Sequence, residues 1–123
     1  MYAITVRARF KAAHSVQIGA GPREAPHRHD WLVEVEVGAR ELDRHGLVMD
    51  FHALERLLGA CVADFRGALL DELADFAQSS PTAENVVRAV FRRLEARLTD
   101  ERCALMRATV WETEGCTATY RPG

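Results

Sequence analysis

The feature that most constrains this chain is strict alternation at its start. Residues 2–10 place Tyr2, Ile4, Val6, Ala8 and Phe10 on one side, with Thr5, Arg7 and Arg9 on the other. Successive side chains of an extended strand point to opposite faces, so this period of two predicts a strand with one buried and one wet face. Residues 31–37 repeat the pattern, with Trp31, Val33, Val35 and Val37 opposite Leu32, Glu34 and Glu36. Between the two lies Gln17–Pro26, whose glycines and prolines mark a loop. Leu47-Val48-Met49 reads as a short strand extension after a polar turn at Asp43–Gly46.

The period then changes. Phe51, Leu54, Leu58, Cys61, Val62 and Phe65 recur at steps of three and four, the stripe of a helix that Asp50 caps. A second helix is predicted with Ser80 as its cap and Pro81 at the first helical position, carrying the stripe Val87, Val90, Phe91, Leu94 and Leu98. Ala104–Glu112 and Cys116–Tyr120 read as strands joined by a turn near Gly115. The order β-β-α-α-β-β groups strands with strands and helices with helices. That predicts an α+β fold, an antiparallel four-stranded sheet with two helices packed on one face, over a single domain 1–123. The other sheet face, carrying Thr5, Arg7, Glu34 and Glu36, is either solvated or covered by another subunit.

Composition narrows the setting. Sixteen Lys and Arg stand against 18 Asp and Glu, a net charge of −2, so no basic footprint points to nucleic acid. Arg7 and Arg9 interrupt any apolar leader, and no run reaches the ~18–20 apolar residues of a membrane span. Three cysteines, an odd number without C-x-x-C spacing, argue against a disulfide framework and fit a reducing cytosol. The expected location is cytoplasmic.

Three of the five histidines lie close in sequence. His27 and His29 flank Arg28, and in extended backbone residues i and i+2 share a face. His14 falls just past the end of the first predicted strand, where antiparallel pairing brings it alongside. Three imidazoles meeting at one point suit Zn²⁺ and leave a fourth position open, the arrangement of a catalytic rather than a structural site. The other reading of H-x-H is two solvated side chains at a strand end. His45, in a polar turn, and His52, in a first helical turn, read as solvent-facing.

Five motifs in order extend this reading: Phe10-Lys-Ala-Ala-His14, Pro26-His-Arg-His29, Gly46-Leu-Val-Met-Asp-Phe51, Ser80-Pro-Thr-Ala-Glu-Asn85 and Trp111-Glu-Thr113. From about Ile4 to Tyr120 the chain resembles the 6-pyruvoyl-tetrahydropterin synthase / 6-carboxy-tetrahydropterin synthase family. The resemblance implies a T-fold subunit, a homo-oligomer in which three sheets join into a barrel and two trimers stack as a hexamer. It implies a lyase with a zinc ion on His14, His27 and His29, acting on a pterin such as 7,8-dihydroneopterin triphosphate. Glu112 matches the position that anchors the pterin ring, where a carboxylate can accept two hydrogen bonds from the 2-amino-pyrimidinone edge. Thr82 matches a pterin-contacting threonine. The plainer readings are a helix-start residue for Thr82 and an exposed strand carboxylate for Glu112.

The chain also departs from the family pattern. The base there is a cysteine four residues before the histidine pair in the bacterial enzymes; here that position is Arg23, which stays protonated. The Asp-His pair that relays a second proton is missing; one of two alignments leaves Asp71, followed by Glu72. The glycine between the histidines is Arg28. Glu24, three residues before His27, is a candidate substitute base. Some relatives carry glutamate in place of the cysteine and yield 6-hydroxymethyl-dihydropterin. Cys61 reads as a small core residue, Cys103 as a loop residue, and Cys116 has no motif support. The resemblance therefore implies one of three things: a pterin lyase with altered catalytic groups, a catalytically inactive pterin- and metal-binding homologue, or a zinc enzyme with a changed substrate or product.

Overall fold

In the computed structural model residues 1–17 and 19–123 are described; Ile18, inside the expected loop, lies outside the described residues. The two alternating segments become β1 (Tyr2–His14) and β2 (His27–Ala39). They pair antiparallel in unbroken register from Tyr2↔Ala39 to His14↔His27. Both strands outrun the apolar alternation because Ala12, His14, His27 and His29 continue its phase with small or polar side chains. His14 is thus the last residue of β1 rather than a residue beyond it. Two further strands, β3 (Cys103–Thr113) and β4 (Cys116–Tyr120), complete an antiparallel sheet in the order β1-β2-β3-β4. Gly115 turns the chain between them at a φ of 82°, a backbone conformation that costs glycine little. Cys103 begins β3 instead of preceding it, and its thiol donates to the Val48 carbonyl at 3.3 Å.

Two helices cover the face that carries Val33, Val35 and Val37. Helix α1 (Phe51–Cys61) starts as expected, with the Asp50 carboxylate accepting the His52 N–H. Leu54, Leu58 and Cys61 are buried, but Phe51 is exposed, so the stripe begins one turn later than its spacing suggests. Val62 and Phe65 are also buried, in the turn after the helix. Helix α2 (Ala83–Arg97) starts two residues later than expected. Thr82, not Ser80, is the cap, its hydroxyl accepting the Asn85 N–H at 3.1 Å. The Ser80 carbonyl is taken by the Thr82 N–H and the Asn85 side-chain amide, which holds Ser80 outside the helix. Val86, Val87, Val90, Phe91 and Leu94 pack inward.

Leu47–Met49 forms no strand, because β2 already has β1 and β3 on its two edges. Its polar groups are satisfied locally: the Asp43 carboxylate accepts the Leu47 N–H, and Arg102 donates to the Val48 carbonyl. Between the helices, Arg93 ties Asp64, Asp75 and the Cys61 carbonyl together. The same segment runs along the end of β1, where Gly67 N–H donates to Lys11 O at 2.7 Å and Ala13 N–H to Ala68 O at 2.9 Å. On the opposite sheet face Glu34 lies between Arg7 and Arg107. Burial alone would raise its carboxyl, but the two guanidinium hydrogen bonds outweigh it and hold the group below the usual range.

Leu94 is fully buried where α2 meets the sheet. Leu94→Ala is expected to lose about 2–5 kcal/mol of stability, read as a shifted urea midpoint. An unchanged midpoint would show that this helix face does not carry the core.

Candidate metal centre

The site begins with the β1–β2 register. Its last pair sets His14 opposite His27, and two residues on Ala12 stands opposite His29. All three histidines therefore share the helix-covered face, and the small Ala12 leaves room beside His29. The next pair, Phe10 and Trp31, stacks at 5.9 Å and floors the cluster. The Trp31 ring lies edge-on to His14 at 5.1 Å and to His29 at 5.9 Å. One donor nitrogen from each imidazole falls within 4.8 Å of the others. Arg28, paired with Ala13 between the two histidines of β2, is exposed on the opposite face.

Burial grades across the three, from 1% exposure at His14 through 16% at His29 to 43% at His27. His14 Nδ1 lies 2.8 Å from the Pro81 carbonyl. A carbonyl only accepts, so Nδ1 carries the proton and Nε2 presents a bare lone pair. Backbone carbonyls hold the distal nitrogen of metal-binding histidines in this way. His14 Nε2 and His29 Nε2 are both buried without a hydrogen-bond partner among the described residues. Two orphaned buried nitrogens on one point are costly unless a cation meets them. Burial pushes the His29 imidazole below its ordinary value; Glu112 opposes this and His14 and His27 reinforce it. Three imidazole donors that can meet at one point fit Zn²⁺ or a similar borderline ion.

Carboxylates surround the cluster. Glu112 Oε1 lies 3.3 Å from His14 Nε2, and Oε2 lies 4.0 Å from His29 Nε2. Glu24 Oε1 lies 3.5 Å from His27 Nε2 and accepts the Val16 N–H at 3.1 Å. Ser15 fixes that loop by donating its hydroxyl to the Glu24 carbonyl. His14, His27, Glu24, Thr82 and Glu112 all line one cavity of about 640 Å³, large enough for a bicyclic ligand. Asp71 stands apart. It accepts the Ser15 N–H at 2.9 Å, pairs with Arg23, and lines a neighbouring cavity with Arg23 and Pro81.

The main cavity is also lined by Glu84, which carries no signal in the sequence, and by Cys116, which has no motif support there. With Thr82 read as the cap, Glu84 falls in the first helical turn beside the site; assigning the cap to Ser80 hid that. Cys61 and Cys103 lie elsewhere, and burial pushes both thiols up.

Fold and site together define a small α+β protein with three clustered histidines that could hold a metal ion, two of them lining a ligand-sized cavity. The sequence model of the family described as 6-pyruvoyl tetrahydropterin synthase matches residues 3–123, and the chain belongs to that family. It is 35% identical over 91 residues to an Archaeoglobus fulgidus protein assigned as a 6-carboxy-5,6,7,8-tetrahydropterin synthase, a match covering 74% of each chain. It is 29% identical over 120 residues to the 6-carboxy-5,6,7,8-tetrahydropterin synthase of Bacillus subtilis, covering 92% of this chain and 80% of that one. The solved 6-pyruvoyl tetrahydropterin synthase of Caenorhabditis elegans superposes with a TM-score of 0.85 at 22% identity, covering 99% and 96% of the two chains. The T-fold subunit is therefore the architecture here. No described helix is long and apolar enough to cross a membrane.

The depressed His29 has a measurable consequence. The folded apo-protein binds fewer protons than the unfolded chain below about pH 6.5, so stability is full above that value and falls as pH drops toward the folded pKa. Urea midpoints measured from pH 7.5 to 5.5 are expected to fall, and His29→Gln to flatten part of that slope. Identical slopes would remove the buried imidazole as the cause.

Proposed function

We propose that the chain is a zinc-dependent enzyme of pterin metabolism, a lyase acting on the side chain of a dihydropterin such as 7,8-dihydroneopterin triphosphate. The observation that carries this reading is the convergence of two orphaned imidazole nitrogens, of His14 and His29, with His27 beside a carboxylate-lined cavity that His14 and His27 line. His14, His27 and His29 would hold the ion. When bound, the ion supplies Lewis acidity that makes C–H and O–H groups near it easier to deprotonate. Glu112 and Thr82 are the pterin contacts in this reading; the Thr82 hydroxyl is already an acceptor for the helix and keeps its own proton free to donate. Glu84 gives the same wall a further carboxylate.

Glu24 is the proposed base. Its carboxylate reaches the cavity beside His27, and the Val16 N–H and Ser15 hydroxyl fix its loop. Asp71 was aligned with the family's relay aspartate. Its pairing with Arg23 and the Ser15 N–H makes holding the 15–24 loop in register its most direct contribution.

A second reading is a pterin- and metal-binding homologue without turnover. The ion pair of Arg23, where bacterial relatives carry the basic cysteine, with Asp71 favours it. Either way we propose a homo-oligomer, trimer or hexamer. β4 and the part of β1 before Lys11 leave sheet edges unpaired within the subunit, and Tyr2, Leu47 and Phe51 are exposed apolar side chains. Light scattering that reads a monomer at all concentrations would count against assembly.

The test is metal analysis joined to a product assay on 7,8-dihydroneopterin triphosphate. Wild-type protein is expected to carry about one zinc per chain and to consume the substrate. Glu24→Gln is expected to keep metal and pterin binding but lose turnover about 10²-fold or more. Zinc and pterin binding without wild-type turnover would select the second reading. Protein that binds neither would overturn both.

A further inference from the structure

Glu112 sits closer to the imidazoles than recognition of a pterin edge requires. Its Oε1 is 3.3 Å from His14 Nε2, whose lone pair is bare because Nδ1 holds the ring's proton against Pro81. Its Oε2 is 4.0 Å from the equally unpartnered His29 Nε2. With Nδ1 turned to Pro81, the Nε2 atoms of both rings face one carboxylate, an arrangement that a shared cation would hold together. A proton would serve one nitrogen and leave the other orphaned, whereas a metal ion serves both.

The spacing agrees with an ion. In a tetrahedron with bonds of roughly 2.0–2.2 Å, neighbouring ligand atoms stand roughly 3.3–3.5 Å apart. Glu112 and His14 already have that separation. Glu112 is 4.0 Å from His29 and lies outside the group of three histidine donors within 4.8 Å of one another, so it and those donors would draw in on loading. Among the described residues no N–H or O–H group donates a hydrogen bond to the Glu112 carboxylate. Glu24 differs: it touches one histidine, and the oxygen that does so also accepts a backbone N–H.

We infer that Glu112 is the fourth protein ligand of the metal in the substrate-free protein, giving a closed site of three histidines and one glutamate. This rests on the zinc reading above and deepens it. A closed site has no open position, so the carboxylate must leave the ion when a substrate's oxygens approach. Its release then frees it for the cavity that the pterin enters. Metal coordination and substrate recognition would thereby share one side chain.

Cobalt(II) replaces zinc as a visible probe in the full-length protein. Two quantities are read for wild type and Glu112→Gln: affinity for Co²⁺ by chelator competition, and the change in the visible spectrum on adding azide. Glu112→Gln is expected to bind Co²⁺ at least about 10-fold more weakly. It is also expected to respond to azide, which needs an open position, where wild type does not. Urea unfolding of the apo-proteins checks that the variant folds, and Glu112→Ala, expected to repeat both effects, serves if it does not. Equal affinities, or equal azide responses, overturn the Glu112 assignment while leaving the three-histidine site standing. Wild-type protein that takes up no Co²⁺ and no Zn²⁺ overturns both this inference and the zinc reading.

Discussion

The register between β1 and β2 is the constraint on which the rest of the molecule depends. It runs without a bulge from Tyr2↔Ala39 to His14↔His27, and because side chains alternate, a slip of one residue would turn every member to the opposite face. The same phase that buries Val6, Phe10, Trp31 and Val33 carries His14, His27 and His29 onto the covered side. Core and site are therefore one row of side chains. The apolar part fixes the register, and the histidines inherit their positions from it.

The surrounding structure keeps the end of that row from fraying. The chain after α1 bonds to β1 at Lys11 and Ala13, and the segment before α2 offers the Pro81 carbonyl to His14. Trp31 donates its indole N–H to the Ala12 carbonyl at 3.3 Å and packs its ring against two of the imidazoles. A strand terminus, commonly the loosest part of a sheet, is thus held from the edge, from below and from the helix layer. Such a mount favours a metal site, whose donors must keep their geometry to about half an ångström.

Much of this was legible in sequence because it is local or periodic. Alternation located both long strands and the shared face of His27 and His29, and the grouping of elements implied their layering. What stayed hidden depends on contacts between distant segments. The Arg23–Asp71 pair joins residues 48 positions apart, and nothing in either neighbourhood announces it. Glu112 reads as an alternating strand residue whose closeness to His14 comes from β3 pairing with β2 near Leu32↔Trp111. The start of α2 was misjudged because Ser80-Pro81 and Thr82 both suit a helix beginning. The competition was decided by Asn85, whose backbone amide takes the Thr82 hydroxyl while its side chain holds Ser80.

The charge around this cavity suits it to a cation. Glu24, Glu84 and Glu112 all line it, while the lining histidines are neutral in their metal-binding form. Arg28 lies on the opposite sheet face, and Arg23, next to Glu24 in sequence, is paired with Asp71 and lines the neighbouring cavity. Three carboxylates around one cavity give it a negative lining that attracts a cation. In the proposed reading, a divalent ion on the three histidines would balance that charge and give Nε2 of His14 and of His29 a partner. The replacement of the family's cysteine and histidine thus leaves the metal-binding end of the site chemically coherent. What it changes is the proton-transfer end, where in the proposed reading Glu24, 3.5 Å from His27, would serve as the base.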